Sequence, residues 1–199
     1  MQDDLIALLA GRRGHFRMES GFHTETWFNL DVLFADTARL MPFVRELTRL
    51  LVPYRAEVVC GPATGGAKLA KLVAAELGCI SCPAERHEPA ASAELSPVEY
   101  RIPAARRDDL HGRTAVIVDD AISAGSAIKG TYSALLACGA RPVACGALIV
   151  FGDAADGIAA GRNLGLASVA RTAFAMWRPA DCPLCRSGIP VVPMSDATP

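Results

Sequence analysis

Residues 114–127 read Thr-Ala-Val-Ile-Val-Asp-Asp-Ala-Ile-Ser-Ala-Gly-Ser-Ala, and no other stretch restricts the fold of this chain as much. An apolar run, Ala115 to Val118, ends in two adjacent acids, Asp119 and Asp120. A turn of small residues follows, Ser123-Ala124-Gly125-Ser126, and then a helical pattern. This order reads as a buried parallel strand with polar groups at its carboxyl end, where open α/β sheets bind ligands. Small residues let the backbone come close to a ligand, and the free N–H groups of a helix start point at an anion. The two acids suit vicinal hydroxyls, or Mg²⁺ held through water. Phosphate, sugar hydroxyls and metal together point to a phosphorylated ribose.

The rest of the chain supplies the elements that such a sheet needs. Asp3 to Arg13 predicts a short helix, and Thr26 to Leu30 a strand. From Thr37 to Leu51, apolar residues recur at helical spacing until Pro53. Glu57 to Cys60 reads as a strand, Gly61 to Gly66 as a glycine turn, Ala67 to Leu77 as a helix stopped by Gly78, and Cys79 to Cys82 as a strand. Pro83 to Pro97 has little hydrophobic pattern and reads as a mobile surface loop, with a strand near Tyr100. Ser126 to Cys138 predicts a helix, Pro142 to Val150 a strand, Ala154 to Arg162 a helix, and Leu166 to Ala170 a last strand. From Trp177 the chain reads as a Pro- and Cys-containing tail. Alternating strands and helices imply a mainly parallel sheet with right-handed crossovers.

With 199 residues the chain is expected to form one domain. A net charge of −1 provides no field that favours nucleic acid or an anionic membrane. The lack of a long apolar run, and the acids near the start, lead to a cytoplasmic expectation. Seven cysteines, an odd number, fit a reducing compartment. Cys60, Cys79, Cys82, Cys138 and Cys145 lie in or beside apolar runs and read as small core residues. Cys182 and Cys185 form a lone Cys-x-x-Cys. It is half a zinc site whose second half is not obvious, because His15, His23, His87 and His111 are far away in sequence. It therefore reads as a structural turn rather than a metal or redox centre, and no residue is assigned directly to a metal.

Gly61-Pro62-Ala63-Thr64-Gly65-Gly66 is a second candidate phosphate cradle, set between a strand and a helix. It is neither a P-loop nor a dinucleotide fingerprint. Two cradles on neighbouring strand ends suit a ligand phosphorylated at both ends.

The 114–127 stretch resembles the phosphoribosyl-diphosphate (PRPP) motif of type I phosphoribosyltransferases. Other stretches are similar to orotate phosphoribosyltransferases: Gly14-His15-Phe16, Ser20-Gly21-Phe22-His23-Thr24, Thr26 to Asp31, Ala84-Glu85-Arg86, and the tail from Asp181 through Cys182-Pro183-Leu184-Cys185 to Pro190. The resemblance implies an α/β type I phosphoribosyltransferase fold, with a mainly parallel central sheet flanked by helices and a small N-terminal hood. On that frame, residues 1–199 are one domain, with a hood segment at 1–35, a mobile loop and flanking strand at 83–103, and a C-terminal tail at 177–199. The implied partners are PRPP and a nucleobase-type acceptor, with Mg²⁺ held mainly through PRPP, in a homodimer. The 5′-phosphate and ribose fall to Asp119, Asp120, Ala121, Ile122, Ser123, Ala124, Gly125, Ser126 and Ala127. The diphosphate falls to Ala63, Thr64, Gly65 and Gly66. Asp119, Asp120 and Arg86 are the catalytic candidates. Glu19, Trp27 and Phe28 are the candidates for the base pocket.

The departures from the family pattern concern charge. The family has Lys or Arg just before the Ser-Gly pair; here Glu19 stands there. Lys68, Lys71 and Lys129 are the only lysines, so none falls in the 83–103 segment. Arg86 and Arg101 stand as substitutes with a different reach. Val150-Phe151-Gly152-Asp153 has no cation where the family reads the orotate carboxylate. Two alternatives follow. One is a transferase for a neutral or amino-bearing base. The other is a PRPP- or nucleotide-binding regulatory protein without catalysis.

Overall fold

The computed structural model describes residues 1–9, 11–18, 20–87 and 99–193. The chain begins with helix α1 (Gln2–Ala7), strands β1 (Gly11–Arg17) and β2 (His23–Phe28), the short helix α2 (Val32–Ala35) and helix α3 (Thr37–Leu51). Then come β3 (Val58–Pro62), α4 (Gly65–Leu77), β4 (Ile80–His87), β5 (Glu99–Arg101), β6 (Thr114–Ile122), α5 (Ser126–Ala137), β7 (Arg141–Phe151), α6 (Ala154–Ala160) and β8 (Gly165–Thr172). The chain closes with β9 (Met176–Trp177), α7 (Pro183–Arg186) and β10 (Val192–Pro193).

The main sheet has the order β5-β4-β3-β6-β7-β8 and is parallel except for the β4–β5 pair. It is the expected mainly parallel sheet flanked by helices. Strand alternation explains why both faces are covered. On β6, Val116 and Val118 join one core with α3 and α4, while Ala115 and Ile117 join a second core with α5 and α6. The pattern Leu40, Val44, Leu47 and Leu51 gives α3 one apolar face, and all four residues are buried. Cys60, Cys82 and Cys145 are buried core residues, and Cys79 and Cys138 are partly buried against the cores. Burial pushes the Cys145 thiol up to about 11.

β3 and β6 are adjacent, yet the chain leaves β3 through α4 toward β4 and leaves β6 through α5 toward β7. The two connections diverge onto opposite faces, which opens a crevice at the carboxyl ends of β3 and β6. The fold therefore places the glycine turn and the diacid side by side.

Four expectations need correction. The N-terminal helix stops at Ala7, and Gly11–Arg17 is a strand, because pairing with β2 takes precedence over the local helical pattern. β6 continues to Ile122, so Asp119 and Asp120 lie within the strand and not beyond it. Pro83 to His87 extends β4 and pairs with β5, through Glu85↔Arg101 and Arg86↔Tyr100; the part of the expected loop at 88–98 lies outside the described residues. The tail from Trp177 is built into structure. β9 and β10 join β1 and β2 in a second sheet, of order β10-β1-β2-β9. Strands of two residues have no periodicity from which to be read.

Leu148 on β7 is fully buried and Leu136 on α5 is 49% exposed. Leu148→Ala is expected to cost about 2–5 kcal/mol in urea unfolding, and Leu136→Ala to stay within about 0.5 kcal/mol.

Candidate functional site

A cavity of about 310 Å³ occupies the crevice. Its floor comes from the two turns. Pro62, Ala63, Thr64 and Gly65 line one side, and Asp119, Asp120, Ala121, Ser123, Ser126 and Ala127 line the other. α4 begins at Gly65 and α5 at Ser126, so both helix starts face the cavity with their first N–H groups. Gly125 precedes α5 with φ +69°, a left-handed conformation that favours glycine. Ile122, Ala124, Gly125 and Gly66 belong to the same turns without lining the cavity.

The two turns touch. A methyl group added at Gly66 would sit 2.7 Å from Asp119 Oδ1 and 2.6 Å from Pro62 Cδ. One added at Gly65 would run into the Asp120 carboxylate. Glycine is needed here for close approach, which the sequence pattern left unspecified. The Asp119 carboxylate accepts from the Asp120 N–H at 3.0 Å, and the Asp120 carboxylate accepts from the Ala121 N–H at 2.8 Å. Asp119 is buried and Asp120 half-buried. Burial raises the Asp120 carboxyl above its ordinary value, and the hydrogen bonds from Ala121 and with Asp119 offset part of the shift.

The far end of the cavity is aromatic. Phe28 stacks on Phe151 with centroids 5.1 Å apart and planes at 7°, and Phe174 tilts against both. Met18, Ser20, Leu30 and Tyr100 complete the wall. Ser20 Oγ is buried and has no hydrogen-bond partner among the described residues. Phe151, Phe174 and Tyr100 escaped the sequence reading because they come from β7, from the segment after β8 and from β5. Only the fold gathers them. Ser20 lies in the Ser20-Gly21-Phe22-His23 stretch, where nothing local marks its hydroxyl as facing a cavity.

Phe28 lines the cavity, and its neighbour Trp27 does not. Successive strand residues point to opposite faces, so both could not share one pocket. Glu19 lies outside the described residues. Arg86 is exposed and does not line the cavity. It lies directly across from Tyr100 in the β4–β5 pair, on the same face of that hairpin. Arg101 pairs with Glu99 at 3.2 Å. Lys68, one turn into α4, is held 3.4 Å from Asp31 and over the Phe34 ring. Among the described residues, no Lys or Arg lines the cavity.

The Cys-x-x-Cys does not stand alone in the folded chain. β1 and β2 pair antiparallel, and the C-terminal segment returns to them, so His15, His23, Cys182 and Cys185 come together. Distance along the chain had hidden the second half of the cluster.

The pattern of the Phosphoribosyl transferase domain family matches residues 36–162. Orotate phosphoribosyltransferase of Caldanaerobacter subterraneus subsp. tengcongensis is 28% identical over 182 residues, covering 90% of this chain and 87% of that protein. The Thermotoga petrophila orotate phosphoribosyltransferase is 31% identical over 179 residues, covering 89% of this chain and 87% of its own length. Among solved structures, Aeropyrum pernix orotate phosphoribosyltransferase superposes with a TM-score of 0.65 at 23% identity, over 86% of this chain and 93% of that one. Adenine phosphoribosyltransferase of Rhodothermus marinus gives a TM-score of 0.68 at 14% identity, over 86% and 98%.

A raised folded-state pKa means that the native protein holds the Asp120 proton more tightly than the unfolded chain does. That contribution is present at low pH and is lost as pH rises through the raised pKa. Asp120→Asn removes the cost of the buried charge. At pH 7 it is expected to stabilise the unliganded protein by on the order of 1 kcal/mol, with a gain that shrinks on acidification. Urea unfolding at pH 7 and in acid checks this, and an unchanged or lowered stability at pH 7 would refute it.

Proposed function

The chain belongs to the phosphoribosyl transferase domain family, and from that premise we propose that it transfers the phosphoribosyl group of PRPP to a ring nitrogen of a nucleobase. By resemblance the reaction is of the orotate type, giving orotidine 5′-phosphate and pyrophosphate, with a place in pyrimidine nucleotide synthesis in the cytoplasm. One observation supports the reading: a single cavity joins two helix-start turns, a pair of carboxylates and an aromatic end. These match the two phosphorylated ends, the hydroxyls and the planar acceptor of such a reaction.

The backbone N–H groups of 123–127 hold the 5′-phosphate, and those of 63–66 the diphosphate. Asp119 and Asp120 accept hydrogen bonds from the ribose 2- and 3-hydroxyls and keep the ring still while its bond to the diphosphate weakens. Their negative charge also favours the cationic character that develops on the ribose. Phe28, Phe151 and Phe174 offer flat faces to the base. The unpartnered Ser20 hydroxyl is available to a ring heteroatom. Arg86, on the Tyr100 face of the β4–β5 hairpin, approaches the diphosphate from the side. The carboxylates are hard oxygen donors facing a cavity with no Lys or Arg among its described lining, and so suit Mg²⁺. When bound with PRPP, that ion offsets the charge of the leaving diphosphate. A homodimer is the expected assembly.

A second reading concerns the acceptor. Orotate is an anion, while Asp119 and Asp120 are the charged residues among the described residues that line the cavity. Losing a hydrogen-bonded charge partner typically costs about 2–5 kcal/mol. This favours a neutral or amino-bearing base over a carboxylate base.

Isothermal titration of PRPP with Mg²⁺, followed by a pyrophosphate-release screen over orotate and other bases, tests both readings. PRPP binding and release with at least one base are expected. Release with orotate at the rate of ordinary family members would sink the second reading. Binding without release for any base would favour a regulatory protein. The double variant Asp119→Asn, Asp120→Asn is expected to abolish PRPP binding, and wild-type affinity in it would refute the assignment of the ribose site.

A further inference from the structure

Four ligating side chains converge at the joint between the two ends of the chain. His15 lies on β1, His23 opens β2, Cys182 precedes α7 and Cys185 lies within it. Their ligand atoms all lie within 4.8 Å of one another. His15 Nε2 is 3.0 Å from His23 Nδ1 and 3.4 Å from Cys182 Sγ. Cys185 Sγ is 3.3 Å from His23 Nδ1 and 3.7 Å from His15 Nε2. His15, His23 and Cys182 are buried and Cys185 is exposed. None of the four lines the cavity of the proposed transferase site.

The protonation logic places lone pairs at the centre. His15 Nδ1 lies 2.7 Å from the Ile189 carbonyl oxygen. A carbonyl only accepts, so Nδ1 carries the hydrogen and donates it. In the neutral ring, Nε2 then presents a lone pair toward His23, Cys182 and Cys185. One lone pair cannot serve three donors well, whereas a cation at the centre satisfies all four groups together. The backbone carbonyl also orients the imidazole in the way that outer partners of metal-bound histidines do.

We propose that His15, His23, Cys182 and Cys185 bind one structural Zn²⁺ ion that clips the C-terminal segment to the β1–β2 hairpin. Two imidazoles and two thiolates are borderline-to-soft donors, which select zinc over Mg²⁺. A tetrahedron with Zn–N of about 2.0–2.1 Å and Zn–S of about 2.3 Å has edges of about 3.3–3.8 Å. The four distances given above need shifts of only a few tenths of an ångström to match. Two thiolates neutralise the charge of the ion, and four protein ligands leave no open position, so the site is structural rather than catalytic. The clip joins residues 167 positions apart, Cys182 and His15, and a crosslink across so long a loop removes much freedom from the unfolded chain. It also holds the β1–β2 turn, which carries Met18 and Ser20 to the cavity wall. Zinc content does not depend on whether the chain transfers phosphoribosyl groups.

The test is metal analysis of the full-length protein, free of any metal-binding tag and purified from zinc-supplemented culture without chelators. About one zinc per chain is expected. Zinc-edge X-ray absorption should give two sulfur and two nitrogen neighbours at the distances above. Changes to outer partners alone cost about 10–100-fold in metal affinity, so His15→Ala and the exposed-site change Cys185→Ser should each weaken zinc binding at least that much. Cys185→Ser is the variant expected to stay folded, checked by circular dichroism. A strong chelator should lower the Tm of the wild type and leave that of the Cys185→Ser protein unchanged. Folded wild-type protein without zinc would overturn the proposal. So would a Cys182–Cys185 disulfide in its place, or zinc retained with unchanged affinity in both variants.

Discussion

The close approach of the glycine turn at 61–66 to the carboxylates of Asp119 and Asp120 is the contact on which the cavity depends. It lies where two parallel strands send their crossovers in opposite directions, a place where main-chain groups of both strands are left facing a crevice. Side chains at Gly65 or Gly66 would fill the space that brings two helix starts and two acids to one point. The same contact explains why the cavity is polar at this end although the strands beneath it are apolar. On the face packed by α3 and α4, the buried core reaches Val59 and Val118, and the polar groups begin one residue beyond Val118.

The electrostatics of the described lining are one-sided. Asp120 is desolvated and its carboxyl is raised, and the described lining supplies backbone N–H groups but no basic side chains. Backbone dipoles favour anions without adding a full charge. In the proposed function, a divalent cation bound with the substrate supplies the missing positive charge.

The long periodic elements were legible in the sequence. The α3 pattern ending before Pro53, the helix stopped by Gly78 and the four inner parallel strands were all expected within a few residues of where they lie. The diacid stretch and the glycine stretch are also legible as turns between a strand end and a helix start, because small residues and glycine punctuate the chain locally. The inner strands β4 and β6 run longer than their apolar runs, and the remaining differences fall at the two chain ends. The start of β1 has a helical pattern that pairing with β2 overrides, and β9 and β10 are not legible because their partners lie more than a hundred residues away. The Trp27–Phe28 pair was read as one aromatic wall, and only strand alternation and the cavity separate the two.

Local patterning therefore defined the class of fold, the two small-residue turns and the acidic pair, since hydrophobic period and turn chemistry act over a few residues. Two things required the folded chain. The aromatic end of the cavity draws on β2, β7 and the segment after β8. The His15–His23–Cys182–Cys185 cluster joins a hairpin to a segment from the opposite end of the chain. Spacing in sequence hid both, because strand pairing, not chain distance, decides which side chains meet.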